Sequence, residues 1–356
     1  MRVGLVIYGD LGFPSGGFLY DRMLVDALRR AGDEVDVISL PWESYGRCLA
    51  HNFSSMARTR LRGWQGDLLL QDELVHPSLF LLNRNLRRAP GFPIVSIVHH
   101  LRTSEKPHGS GLIPRIVERS YLRTVDAFIF NGEVTRQSVQ ALRGTTGPGI
   151  VAPPGGDRLG SGITEADALA RAADGKPLRV LFIGNLIPRK GLCTLLKALA
   201  MQARTDWRLT VAGSRTVDPA HVRQVDRLVM EQGLGERVRM KDHLDDRELA
   251  AELCAAHVLA VPSSYEGFGI VYLEAMGFGV VPIGSTEGGA SEVIEDGKSG
   301  FLVRPGDAAA LAAVIQRLSA DRGILRSCAH AALHRFRQFP GWEARMKIVR
   351  DWLVTL

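Results

Sequence analysis

Residues 261–281 read VPSSYEGFGIVYLEAMGFGVV, and the order of residue types in this stretch decides how the chain is built. The apolar run at 257–262 that leads into it reads as a buried strand. Ser263-Ser264-Tyr265-Glu266-Gly267 reads as a loop, and from about Gly269 the spacing of Ile270, Leu273 and Ala275/Met276 suits a helix packed on a sheet. Glu266 then stands in the loop, and Glu274 lies one to two turns into the helix. Between them are the free backbone N–H groups of a helix N-terminus, which favour an anion. Two carboxylates that accept hydrogen bonds from hydroxyls, flanking a place for phosphate, suit a sugar nucleotide. Taken alone, the same pair also fits an ordinary loop residue and a solvated helix residue, so the rest of the chain has to decide.

The strand–loop–helix alternation continues outward in both directions. Strands are expected at 3–7, 34–39, 67–70, 93–98, 127–130 and 149–152, with a helix at about 18–31 after a glycine-containing loop from Gly9 to Gly17. Pro153-Pro154-Gly155-Gly156-Asp157 breaks the pattern, and the small, polar stretch at 160–175 reads as a linker region. The alternation restarts with strands at 179–183, 208–212, 238–240, 257–262, 280–283 and 301–303, and with helices from Gly191, through Glu231, near 246–256 and at 308–318. Repeated βα units imply α/β domains with doubly wound parallel sheets, whose ligands sit at the carboxyl ends of the strands. The expected division is a Rossmann-like domain at 1–157, a linker region at 158–177, and a second Rossmann-like domain at 178–339. A C-terminal helix follows at 340–356, after the break at Pro340-Gly341-Trp342.

Composition narrows the class. The chain has 356 residues, 46% hydrophobic and 23% charged, as in an ordinary globular protein. It lacks any run of about 18 apolar residues, so no transmembrane helix is expected. The N-terminal MRVGLVIYG reads as a first buried strand rather than a signal peptide, and the four cysteines show neither metal-ligand nor redox spacing. The expected location is cytoplasmic. The net charge of +6 is uneven: residues 58–123 carry eleven basic and five acidic side chains, a local excess equal to that of the whole chain. Arg58, Arg60, Arg62 and Trp64 mix cations with an aromatic, as a segment lying on an anionic membrane does. A solvated basic face is the plainer reading. No nucleic-acid module is recognisable.

Further residues are placed to do chemistry. After the strand at 179–183 comes Gly184-Asn185-Leu186-Ile187-Pro188-Arg189-Lys190-Gly191, opening a helix. Adjacent cations at such a junction suit a diphosphate, since helix dipole and ammonium both favour negative charge there. Gly284-Ser285-Thr286-Glu287-Gly288-Gly289 follows another strand, and its glycines permit close backbone approach. Gly16-Gly17 precedes the first helix and can present backbone amides, but the run does not form the G-x-G-x-x-G of a dinucleotide fingerprint. His99-His100 ends the strand at 93–98, where active-site residues of open sheets gather; a structural histidine fits equally. No D-x-D run follows a strand, which speaks against a metal-held diphosphate.

Together these pieces resemble the family 4 retaining glycosyltransferases, which have the GT-B fold of two facing Rossmann-like domains. The resemblance spans essentially the whole chain. Its most specific parts are Gly184…Arg189-Lys190-Gly191, Glu266-Gly267-Phe268-Gly269…Glu274-Ala275 (the family's E-x7-E motif), and the segment from Gly288-Gly289 through Glu292-Val293-Ile294 to Gly300-Phe301-Leu302-Val303. The resemblance implies a first domain that binds the acceptor and a second that binds the nucleoside-diphosphate sugar. It implies that Lys190 neutralises the departing diphosphate, and that Glu266 faces the donor sugar. The amides of Phe268, Gly269 and Ile270 would approach sugar and phosphate, and Glu274 would take the ribose hydroxyls. Gly16-Gly17 and His99 match elements beside the donor phosphate and sugar, Gly155-Gly156-Asp157 resembles a short inter-domain element, and the helix after Trp342 resembles one that crosses back to the first domain.

Two positions depart from the family pattern. Asn185 stands where an arginine is usual, which leaves Arg189 to reach the phosphates. His99-His100 replaces a frequent His-Asp, a change on the acceptor side. The implied reaction is retaining, metal-independent hexosyl transfer, with a nucleoside-diphosphate sugar as co-substrate and no cofactor. The acceptor expected from the basic excess is a glycan or a lipid-linked molecule at the inner membrane face. The alternatives are a non-catalytic sugar-nucleotide-binding protein and another GT-B enzyme, such as an epimerase or a phosphorylase.

Overall fold

The computed structural model describes residues 1–86, 91–105, 111–145, 147–160, 163–175, 177–202 and 206–356. Arg87, Arg88 and Lys106, counted in the basic excess, lie outside the described residues. The chain forms two compact units, Met1–Pro154 with Glu343–Leu356, and Gly155–Trp342.

The first unit is built on a sheet of β1 (Arg2–Tyr8), β2 (Glu34–Leu40), β3 (Leu68–Asp72), β4 (Ile94–Val98), β5 (Ala127–Phe130) and β6 (Gly149–Val151), in the spatial order β2-β1-β3-β4-β5-β6. The second contains β7 (Leu178–Ile183), β8 (Trp207–Ala212), β9 (Val238–Lys241), β10 (Val258–Ala260), β11 (Val281–Ser285) and β12 (Phe301–Val303), in the order β12-β11-β10-β7-β8-β9. Every pairing in both sheets is parallel. Each of the twelve strands overlies a stretch expected from the sequence. The reason is physical: β3, β4, β5, β10 and β11 are buried along their whole length, so they read as mostly apolar runs with few polar residues.

Strand order fixes where ligands collect. From β7 the chain moves outward to β8 and β9, and from β10 it moves the other way to β11 and β12, so the direction reverses between adjacent β7 and β10. In the first sheet the reversal lies between β1 and β3. The crevice at the carboxyl ends of such a pair is the usual binding place in an open α/β sheet.

Two stretches differ from expectation. The region read as a linker contains the helix Glu165–Ala172, capped by Thr164 and docked in the second unit on the helix Arg322–Arg337. Its inward face is made of Ala168 and Ala172 with Arg171, too small an apolar stripe to register as a periodic signal. Arg322–Arg337 is a sixteen-residue helix that the strand–helix alternation left unassigned. It begins on an Asp321 cap and buries Leu325, Cys328, Ala329, Ala332 and Leu333. The helix Trp342–Leu353 returns the chain to the first unit. There Met346, Val349 and Leu353 are buried, and Arg350 grips Asp33 at 2.6 and 3.2 Å while Asp33 also holds the N-terminal amine at 2.8 Å.

Among the described residues no helix is long and apolar enough to cross a membrane. The basic region of the first unit instead places two helices at its surface. Ser55–Gly63 exposes Met56, Arg58, Arg60 and Arg62, with Phe53 just before it. Leu112–Leu122 exposes Leu112, Ile113 and Ile116 beside Arg115 and Arg119. Its one acid, Glu118, is turned inward and buried by hydrogen bonds to Arg102 and Thr103.

Candidate functional site

In the second unit the loops after β7 and β10 touch, and glycines make that contact close. Gly191, at φ 76°, sits so near Pro262 that a Cβ would lie 2.1 Å from its carbonyl oxygen. The backbone N–H of Ser264 donates to the carbonyl of Arg189 at 2.7 Å. Arg189 and Lys190 lie in the short turn Pro188–Lys190 ahead of the helix Leu192–Ala200, and this turn delivers both cations to Glu266. Lys190 Nζ stands 2.5 Å from Glu266 Oε1, Ser263 Oγ donates to the same oxygen at 2.6 Å, and Arg189 Nη1 is 3.8 Å away. Arg189 also donates to the carbonyl of Tyr265 at 2.9 Å, so its guanidinium is tied to the loop that carries Glu266.

Glu266 is only 5% exposed. Burial opposes its ionisation, but Lys190 and then Arg189 overcome that cost and hold its carboxyl at about 2. The site is therefore a buried carboxylate with a lysine and an arginine on one side. A third loop closes on it: Glu266 and Gly288 form a parallel bridge, and Gly289 N–H donates to the Glu266 carbonyl at 2.8 Å. The helix Ile270–Gly277 starts after Gly269, whose φ of 90° turns the chain into the first turn. Gly267, Phe268, Gly269 and Ile270 thus follow Glu266 directly into a helix N-terminus. Asn185 is half-buried at the mouth of the β7 loop, where Ile187 N–H donates to its carbonyl at 2.8 Å.

Glu274 is not a solvated helix residue. It is 4% exposed and bonded to Arg158, with Nε and Nη2 at 3.0 and 2.9 Å from its Oε1; Arg158 also pairs with Asp246. Burial pushes the Glu274 carboxyl up, against the pull of Arg158. Arg158 and Ser263 were not singled out from sequence. Arg158 lies 116 positions from Glu274 in the chain, and only the fold joins them.

The first unit brings together Gly16, Gly17 and His99, together with acids that the sequence did not flag. Ser15 caps the helix Gly16–Arg30 by accepting from Phe18 N–H. A Cβ on Gly17 would lie 2.9 Å from His99 Cδ2, so the glycine lets the helix start pack against the imidazole. His99 Nε2 lies 3.1 Å from Asp21 Oδ1, and its backbone N–H donates to Glu73 Oε2 at 2.8 Å. Its carbonyl accepts from Asn131 Nδ2 at 2.7 Å. Asp21, Asp72 and Glu73 are all buried, and one oxygen of each has no hydrogen-bond partner. Among the described residues, Asp21, Asp72 and His99 form the one group whose donor atoms gather closely enough (within 4.8 Å of one another) to hold a metal ion. Tyr45, by contrast, stacks under Arg102 and contacts His76 farther along this face.

The profile of the family described as Glycosyl transferases group 1 matches residues 165–335. A D-inositol 3-phosphate glycosyltransferase of Streptomyces bingchenggensis is 34% identical over 194 residues, covering 52% of this chain and 42% of that protein. The chain thus spans less than half the length of that relative. A glycogen synthase of Mycobacterium tuberculosis is 31% identical over 296 residues, covering 79% of this chain and 67% of the relative. Among solved structures, a sucrose-phosphate synthase from Thermosynechococcus elongatus superposes with a TM-score of 0.82 at 25% identity, over 100% of both chains. The fold is GT-B, and the chain belongs to the glycosyl transferases group 1 family.

Proposed function

We propose that the chain transfers a sugar from a nucleoside-diphosphate sugar to an acceptor hydroxyl, with retention at the anomeric carbon and without a metal on the diphosphate. The observation that carries this reading is the Lys190–Glu266 pair at the switch point of the second sheet, with Arg189 alongside. Fixed cations beside a helix N-terminus are what a departing diphosphate needs, because they stabilise charge where it develops without having to reorganise. In the step, the bond from the anomeric carbon to the diphosphate oxygen breaks. The bond to the acceptor oxygen forms on the same face, and the acceptor's proton leaves with the diphosphate. Lys190 and Arg189 would bind the leaving group, Glu266 the sugar, Glu274 the ribose, and the amides of Phe268, Gly269 and Ile270 the phosphate. Gly16, Gly17 and His99 would meet the donor from the acceptor-binding domain. The activities for which these relatives are named, glycosyl transfer and glycogen synthesis, fall in the same reaction class.

The test is a thermal-shift series with UDP, GDP and ADP and their sugars, followed by diphosphate release with and without acceptor. A ligand at 100 times its Kd raises native-state stability by about 2.7 kcal/mol, so the true nucleotide should stand apart from the other two. No shift with any of them refutes the reading. A shift without acceptor-dependent release makes the chain a sugar-nucleotide-binding protein instead.

For the acceptor we infer a lipid-linked molecule at an anionic membrane. The support is the acid-free outer face of Ser55–Gly63 and Leu112–Leu122, where exposed apolar side chains stand among arginines. The protein is expected to sediment with vesicles containing phosphatidylglycerol and not with phosphatidylcholine alone. Ile113→Glu with Ile116→Glu should abolish that binding and leave the melting temperature unchanged. Equal recovery with both vesicle types, or an unaffected double variant, refutes the inference and leaves a soluble glycan as acceptor.

A further inference from the structure

Beneath His99 lie more buried acids than its single imidazole neutralises. The groups facing it are Asp21 and Tyr20 from the helix Gly16–Arg30, and Asp72 and Glu73 from the end of β3. Arg345, from the C-terminal helix, faces Tyr20. Such a cluster is costly unless protons or opposite charge compensate it. Asp72 and Glu73 are adjacent, each keeps one buried oxygen without a hydrogen-bond partner, and burial raises both carboxyls, which favours a proton retained on the pair. Of the three acids, Asp21 is the one bonded to the imidazole itself.

We propose that Asp21 is a positioning residue for His99, accepting its Nε2 proton so that the imidazole is held in one orientation against Gly17. The side chains of Glu73 and Asn131 bond the peptide of His99 and not its ring; the bond to Asp21 is the one made by the ring itself. Gly17 packs on the ring carbon next to Nε2, so rotation about the side chain would drive the ring into the helix start. The role given to the oriented imidazole, a donor toward the sugar-phosphate group, rests on the proposed transferase reading; the dyad itself does not.

Charge follows the geometry. Burial works against a charged imidazole, but Asp21 and then Asp72 outweigh it and raise His99 above the ordinary histidine value. Burial, reinforced by Asp21, also lifts Asp72, up to about 7, and Glu73 rises well above the usual range. The sign is fixed by linkage. A histidine raised in the folded state lends stability below its unfolded value and loses it as pH rises through the folded one.

The experiment titrates the imidazoles of histidine-labelled full-length protein by NMR, with the His99 signal assigned from His99→Gln. His99 should titrate above about 6.5, the ordinary imidazole value. In Asp21→Asn it should fall below that value, and in Asp72→Asn it should fall by less. With an active donor, Asp21→Asn should lose about tenfold in kcat/KM at pH 7 and regain most of it as pH is lowered, because acid restores the imidazolium. A purely structural role would reduce the rate equally at every pH. An unchanged His99 titration in Asp21→Asn overturns the proposal. So does a stoichiometric divalent ion in the purified protein, since the ion would then neutralise the acids. Should Asp21→Asn fail to fold, the Asp72→Asn titration decides: no movement of His99 there overturns the charge network. Absence of any transferase activity refutes the function proposed above and leaves the NMR result to judge the dyad.

Discussion

Replacing Lys190 with alanine is expected to lower kcat for sugar transfer by about 10²–10³-fold, the usual cost of deleting a preorganised group that stabilises leaving-group charge. The ammonium lies 2.5 Å from a carboxylate held at about 2, so both members of the pair are charged before any ligand arrives. Incoming phosphate would then compete for a lysine that is already in place, and no side chain has to be ordered during the reaction. Donor affinity should fall much less than kcat, because the diphosphate gains negative charge as the bond breaks. In the variant Glu266 keeps Ser263 Oγ at 2.6 Å and Arg189 at 3.8 Å, so its carboxyl rises but is not orphaned and the unit should stay folded. Glu266→Gln should cost a comparable factor, and the double variant should be little worse than either single one, since the two side chains act as one unit. Circular dichroism and steady-state rates on a donor chosen by thermal shift would check this. Wild-type turnover in both single variants would sink the assignment of the site.

How much of this was legible in the sequence depended on the range of the interactions. All twelve strands were readable because most are short runs rich in apolar and β-branched residues between turn or helix signals, a purely local signal. Lys190 and Glu266 were readable because each sits just past such a strand, and β7 and β10 turn out to be neighbours. The partners of those residues were not readable. Arg158 reaches Glu274 across 116 positions, and Asp21 reaches His99 across 78; neither pair has a spacing that any local pattern reports. Composition misled at 158–177, where small polar residues resemble a linker although Thr164 caps a helix and Arg171 anchors it. A buried arginine in a run of alanines carries no periodicity, and its importance lies wholly in the carbonyls it meets.

Arg171→Met should accordingly be among the most damaging single changes outside the site, destabilising the second unit by at least about 3 kcal/mol, the scale expected when several buried acceptors lose a charged donor together. Its Nη1 donates to the carbonyls of Leu253 and Cys254 at 3.2 and 2.9 Å, and its Nη2 to those of Phe278 and Gly279 at 2.7 and 2.9 Å. The first pair are last-turn carbonyls of the helix Asp246–Ala255, and the second pair follow the helix Ile270–Gly277, so one guanidinium satisfies the ends of two helices. Burial lowers the arginine to about 10, which still leaves it charged at neutral pH. Methionine can fill the volume of the stem but leaves four acceptors bare. Lysine keeps the charge but offers three donors from a point, so Arg171→Lys should recover only part of the loss. The helix Ile270–Gly277 is the one whose N-terminus follows Glu266. Loosening its far end should therefore reach the site, and nucleotide binding by the variant should weaken at temperatures well below its melting point. Urea unfolding followed by tryptophan fluorescence, with Trp207 buried in this unit, measures the first effect, and calorimetric titration with the preferred nucleoside diphosphate measures the second. A midpoint within error of wild type would show that water or backbone rearrangement satisfies those carbonyls, and that the helix Glu165–Ala172 is dispensable to the second unit.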